Sequence, residues 1–258
     1  MPRFAANLST MFREYDWLAR PLAAKRAGFQ AVEIQSPYDL EIDALVRAKR
    51  EAQVEWLMIN LPAGDAARGE RGMACLPGRE ADFRAGVALC RRYGEALGIS
   101  QVNMPAGITP KGVERARIEA TLVESYRYAA EELGKAGIKA LVEPLNDRDV
   151  PGTFVTRADQ ALDLIDRAGH ANLGLLHDLY HAQVMVGDLL KNLEKLMLRI
   201  GHIQFADPPG RHEPGTGELN WPVLFAAIDR LGYRGWVSAE YFPTGNTADS
   251  LGWMQPLA

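Results

Sequence analysis

The sequence predicts an α/β protein folded as a closed (β/α)₈ barrel, one domain over residues 1–258, with its active site at the C-terminal ends of the strands. Three observations carry the prediction. Glycines recur just ahead of apolar runs at Gly28, Gly98, Gly137, Gly169, Gly201 and Gly232, and the last five stand 39, 32, 32 and 31 residues apart. The 70 residues from Gly28 to Gly98 fit two more such units, one without its glycine. Each glycine reads as a helix cap that hands the chain to a strand. The chain length of 258 matches eight repeats of strand and helix. Finally, no glycine-rich phosphate turn follows an early strand, as a doubly wound open sheet would require.

In chain order, the first strand is RFAAN at 3–7, followed by AVEI at 31–34 and VEWLMIN at 54–60. A fourth strand, QVNM at 101–104, follows an amphipathic helix expected over 80–97, and a longer helix is expected over 110–136. KALVE at 139–143 and LGLLHD at 173–178 flank a helix over 156–168, for which Thr156 is the expected N-cap. Asp188 is the expected N-cap of the next helix, 188–200, which leads into HIQF at 202–205 and finally GWVSAE at 235–240. The strand count is eight.

Composition narrows the function. With 47% apolar and 24% charged residues the chain builds a large core without a disulfide or metal staple. The net charge of −4 is spread along the sequence with no basic block, which speaks against nucleic acid and anionic membranes as partners and for small molecules. Cys75 and Cys90 lie in no zinc or redox spacing and read as reduced thiols of a cytoplasmic protein. No signal-like start and no apolar run of about eighteen residues is present.

Four consecutive strands end in an oxygen ligand: Glu143, Asp178, Gln204 and Glu240. One polar strand end is commonplace; four in succession point to a shared cation. Strand alternation sets Glu143 above Leu141 and Asp178 above Leu176, over an apolar barrel interior where an unpaired charge costs several kcal/mol. Three carboxylates and an amide suit a hard ion, Mg²⁺ first and Mn²⁺ next, better than zinc. Glu143 and Glu240, from strands far apart around the ring, are the expected proton carriers, one removing a proton from carbon and the other returning it to the neighbouring carbon. The cation would polarise the carbonyl and stabilise the enediolate. Glu33, at the end of the second strand, is assigned to structure.

Among the histidines, His181 lies three residues after Asp178 at a strand mouth and is expected to contact substrate. His177 should point outward, His202 should pack at the barrel base, and His170 and His212 belong to loops. Arg211, seven residues after Gln204, offers a fork for a substrate carboxylate, and the Gly215–Thr216–Gly217 turn would let backbone approach the substrate. The long connection between Asn60 and Arg79 could be a lid or a subunit contact, and its Arg68 and Arg71 could help neutralise an anion.

These motifs resemble the bacterial hydroxypyruvate isomerases, within the xylose-isomerase-like TIM barrel group, and the resemblance runs nearly end to end. RFAANLS, NLPAGD, GERG, CLPGRE, VEPLN, DLYHAQ, HIQFAD, RHEPGTGE and the EY ahead of LGWM carry it. It implies metal binding by Glu143, Asp178, Gln204 and Glu240, acid and base roles for Glu143 and Glu240, and substrate contact by His181 and Arg211. The implied reaction interconverts hydroxypyruvate and 2-hydroxy-3-oxopropanoate in a homo-oligomer. A related group, the 2-oxo-tetronate isomerases, shares the opening and most of these residues. The sequence departs from the pattern at Ile59, where such enzymes often carry histidine, at His177 in place of tyrosine, and at Pro208 in place of asparagine. Ketose 3-epimerases place histidine where Gln204 stands. An endonuclease on the same barrel would need a zinc cluster with histidines from early strands, and none precedes His170. A metal-stabilised binding protein is the non-enzymatic alternative.

Overall fold

A computed structural model describes residues 1–254. Its strands are β1 Arg3–Asn7, β2 Ala31–Glu33, β3 Glu55–Trp56, β4 Met58–Asn60, β5 Gln101–Asn103, β6 Lys139–Val142, β7 Leu173–Asp178, β8 Ile200–Phe205 and β9 Trp236–Ala239. All pair in parallel, in the spatial order β3-β2-β1-β9-β8-β7-β6-β5-β4. β3 and β4 are two parts of the expected strand 54–60, parted at Leu57. The first part pairs with β2 and the second with β5. The stagger of a barrel explains the division, because each part has its neighbour on a different side. Leu57 N donates to Val32 O, and Ile34 N donates to Met58 O, so the ring is nearly closed.

Alternation sorts the strand residues between the lumen and the helical layer. Ala5, Ala31, Leu57, Met58, Leu141 and Leu176 fill the lumen as a separate apolar cluster. Outside the ring, Phe4, Phe205 and Phe225 stack edge to face with one another, and Trp253 from the C-terminal 3₁₀ segment Thr247–Met254 packs onto all three.

Helices α1 Arg20–Arg26, α2 Ile42–Ala52, α3 Glu80–Leu97, α4 Arg115–Gly134, α5 Ala158–Ala168, α6 Leu179–Met185, α7 Leu189–Leu196 and α8 Trp221–Arg230 surround the barrel. α3 has its expected bounds. α4 starts later than 110 because Ile108 bridges to Thr153 and Gly112 turns the chain with φ +72°. Neither expected cap is used. Thr156 instead donates its backbone N–H to Gln160 Oε1, and α5 starts at Ala158 after Arg157. Asp188 does precede α7 but sits at φ 49°, and its side chain accepts no capping bond. α7 ends at Leu196, and the 3₁₀ turn Met197–Arg199 leads into β8.

Five of the six marker glycines adopt positive φ, as helix ends require. Gly201 does not. It lies inside β8, where a Cβ would come within 2.6 Å of Leu141 Cδ2 in the lumen. The unit that lacks its glycine ends α2 with Gln53 in the left-handed conformation, φ 52° and ψ 48°. No helix among the described residues is long and apolar enough to cross a membrane.

Candidate active site

The C-terminal ends of the strands open into a cleft of about 310 Å³, whose walls include Glu143, His181, Arg211 and Glu240. Glu143 and Glu240 each follow the last residue of a strand, β6 and β9, and both are buried. Asn103 Nδ2, from the end of β5, donates to Glu143 Oε2 at 2.6 Å. Glu240 Oε1 accepts from Asn7 Nδ2 at 2.9 Å and from Gln35, while Glu240 Oε2 faces Arg211 Nη2 at 2.8 Å. Asp178 ends β7 and caps α6: its Oδ1 accepts the Tyr180 N–H at 2.8 Å, and its Oδ2 lies 3.5 Å from Arg211 Nη2. The structure thus gathers Glu143, Glu240, His181 and Arg211 on one cleft, with Asp178 behind Arg211 and His181.

Gln204 stands beside Asp178 in register. Its Nε2 donates to Glu33 Oε1 at 2.6 Å, and its Oε1 is buried without a protein partner. Glu33 also takes His202 Nε2 at 2.8 Å and Asn7 Nδ2 at 2.9 Å. Burial raises the proton affinity of Glu33, but the His202 pairing and the three hydrogen bonds outweigh it and hold its carboxyl below the usual range. Glu33 is therefore a structural carboxylate that orients Gln204 and Asn7, and His202 lies against it within the lumen.

Burial and mutual repulsion act on the remaining acids. Burial first, then Glu240 and Asp178, pushes the Glu143 carboxyl well above its ordinary value. Burial likewise carries Glu240 up to about 7 and Asp178 up to about 6, with the Arg211 guanidinium opposing it in both. Three buried carboxylates around one guanidinium call for more positive charge. The groups present suit a hard cation in kind: Glu143 and Asp178 bring carboxylate oxygens within 4.8 Å of each other, and Gln204 Oε1 is left free because the amide nitrogen donates to Glu33.

His181 Nε2 approaches Asp178 Oδ2 at 3.5 Å and Glu143 Oε1 at 3.8 Å, and a ligand atom from each of these three residues falls within 4.8 Å of the others. Burial, and then Arg211, lower the His181 pKa well below its usual value. The ring Nδ1 accepts the Asn146 backbone N–H at 3.1 Å, which puts the ring proton on Nε2. In this tautomer Nε2 faces the Asp178 and Glu143 carboxylates as a donor.

Several expectations take a different form. The Gly215–Thr216–Gly217 turn does not approach the cleft. The Gly215 and Gly217 N–H groups donate to buried Asp207, and a Cβ at Gly217 would come within 2.0 Å of Pro208 O. Of the two loop arginines, Arg71 lines the cleft and Arg68 faces a separate recess. Ile59 packs in the core outside the ring, and His177 faces α5 and α7, so these two of the three departures from the family pattern do not reach the cleft. Burial lowers the His177 pKa to about 4. The supporting residues Asn7, Gln35, Asn103 and Asn146 were not read from the sequence, although Asn7 and Asn103 also end strands.

A family model described as "Xylose isomerase-like TIM barrel" matches residues 21–257. The chain belongs to that family. It is 48% identical over 256 residues to a hydroxypyruvate isomerase of Escherichia coli (strain K12), covering 99% of both chains. A 2-oxo-tetronate isomerase of Cupriavidus necator is 44% identical, over 99% of this chain and 98% of its own. Among solved structures, one from Brucella melitensis described as an AP endonuclease, family 2, superposes with a TM-score of 0.96 at 45% identity and 98% coverage of each chain. Within the family this chain is an enzyme of the aldose–ketose isomerase type.

Proposed function

We propose that the protein interconverts hydroxypyruvate and 2-hydroxy-3-oxopropanoate by proton transfer through an enediolate. The observation that carries this reading is the pair Glu143 and Glu240, two buried carboxylates of raised proton affinity on one cleft with Arg211 and His181 between the same walls. A divalent cation, Mg²⁺ or Mn²⁺, would be held by Glu143, Asp178, Gln204 Oε1 and Glu240 and would supply the positive charge that draws electrons from the substrate carbonyl.

The chain's own groups handle the protons. One of the two glutamates takes the proton from C3 and the other delivers one to C2, while the hydroxyl proton passes from the C3 oxygen to the C2 oxygen. The C3–H and O–H bonds that break are replaced by C2–H and O–H bonds, and the carbonyl moves from C2 to C3, so no oxidant is needed. His181 donates its Nε2–H to a substrate oxygen. Arg211 holds Glu240 and Asp178 in place and contacts the substrate with the rest of its guanidinium. The two buried, unpaired thiols accord with a reducing, cytoplasmic setting.

The Cupriavidus relative supports a second reading, isomerisation of a 2-oxo-tetronate, by the same proton transfer with one more carbon in the cleft. An endonuclease reading gains nothing from the site, which groups two carboxylates with a single imidazole in a chain of net charge −4. The test is a panel of hydroxypyruvate, 2-oxo-tetronates and ketohexoses with Mg²⁺ in D₂O, followed by NMR. Isomerisation of the three-carbon acid with deuterium at C2 is expected. Turnover of ketohexoses alone, at C3, would replace the assignment with an epimerase.

A further inference from the structure

We infer that Arg71 is the residue that recognises the substrate's carboxylate, and so selects acids over neutral sugars; this rests on the acidic-substrate reading above. Two arginines line the cleft, Arg71 and Arg211. Most of Arg211 is already engaged: Nη2 serves Glu240 and Asp178, and Nε donates to the Glu240 backbone O at 3.3 Å, which leaves only Nη1 for the substrate. Its charge is spent on the acids that surround it. Arg71 differs in each respect. It is exposed at the mouth, donates one long hydrogen bond of 3.4 Å to the Glu70 backbone O, and enters no ion pair among the described residues. The acid beside it, Glu70, is occupied by Arg79 and by the Asp65 N–H.

The backbone next to Arg71 is fixed. A Cβ on Gly72, at φ +127°, would lie 2.4 Å from Pro105 O, and a Cβ on Gly107 would lie 2.4 Å from Gly72 O. The two chains touch with no room for a side chain between them, and the Gly72 N–H to Ala63 O and Cys75 N–H to Ala106 O bonds, both 2.8 Å, brace the contact. Pro105 and Ala63 are themselves walls of the cleft. The loop therefore holds the Cα of Arg71 one residue from a rigid clamp on the cleft wall, whereas Arg68 is turned toward Pro110 and Val113. A guanidinium with free donors, placed where Glu143 and Glu240 face the same space, matches a carboxylate on the end of the substrate away from the reacting carbons.

Calorimetry on the Mg²⁺-loaded protein tests this with glycerate, an unreactive acid, and glyceramide, its neutral counterpart. Wild type should prefer glycerate. Arg71→Gln should weaken glycerate binding at least about tenfold and leave glyceramide unchanged, Arg71→Lys should fall between, and Arg68→Gln should match wild type. Glycerate binding by Arg71→Gln equal to wild type, or no preference for glycerate in wild type, overturns the inference. If wild type shows the Arg71-dependent preference yet leaves hydroxypyruvate unchanged, the reaction assignment fails and the carboxylate site stands.

Discussion

Gln204 presents a free amide oxygen because Glu33 takes its nitrogen, with Nε2 2.6 Å from Glu33 Oε1 at the heart of the lumen. Glu33 is itself fixed by His202 and Asn7. Glu33→Gln breaks this orientation, since an amide in its place can face Gln204 with either atom. Divalent-cation affinity measured by calorimetry should drop about 10- to 100-fold, the usual cost of losing a residue that orients a ligand. A folded variant that binds the cation like wild type would leave Glu33 with no part in the site.

Replacing either proton carrier should stop the chemistry more than the binding. Glu143→Gln and Glu240→Gln are each expected to lower kcat at least about a hundredfold. Steady-state rates with hydroxypyruvate decide it, and near-normal turnover in one variant removes that residue from proton transfer.

An amide oxygen keeps the ligand set hard, and an imidazole would soften it. Wild type treated with a chelator should lose activity and regain it with Mg²⁺ or Mn²⁺. Gln204→His should shift the preference toward Co²⁺, Ni²⁺ or Zn²⁺, read as bound metal and as activity after add-back. Full activity of a metal-free wild type would refute the cation reading.

Gln53 occupies a left-handed position that costs a side chain about 1 kcal/mol, and it is exposed. Gln53→Gly should therefore stabilise the fold by up to about 1 kcal/mol and raise Tm by roughly 2–4 °C. A lower Tm would show that the Gln53 side chain contributes more than its conformation costs.

Burial pushes the thiols of Cys75 and Cys90 up to about 12. Below about pH 8.5 both folded and unfolded chains keep these protons, and stability is unaffected. Above it the unfolded chain releases protons that the folded chain retains, so their contribution to stability falls as pH rises toward 12. The urea midpoint should drop between pH 8 and pH 10.5, and less so in Cys90→Ala. An equal drop in both proteins would assign the effect to other groups.

The ring of strands and the four polar strand ends were legible because alternation and repeat spacing are local signals. LGLLHD and KALVE place Asp178 and Glu143 without any knowledge of neighbours. What escaped were relations across the barrel: Asn103 on Glu143, Asn7 and Gln35 on Glu240, and the commitment of Arg211 to two acids. Nothing in a single strand announces a partner that arrives from another. Thr156 and Asp188 misled for the opposite reason, since capping chemistry is local but the path of the connecting loop decides whether it is used.

The acids of the cleft come from the second half of the chain, yet the hands that steady them belong largely to the first: Asn103 on Glu143, Glu33 on Gln204, Asn7 and Gln35 on Glu240. A fragment that began after the fifth strand would carry every proposed ligand and possess no site. On a growing ribosomal product, Asn7 emerges first and must wait for Glu240, almost the last residue of the ring. The pairing of Asn7 and Gln35 with Glu240 therefore requires both ends of the ring to be in place.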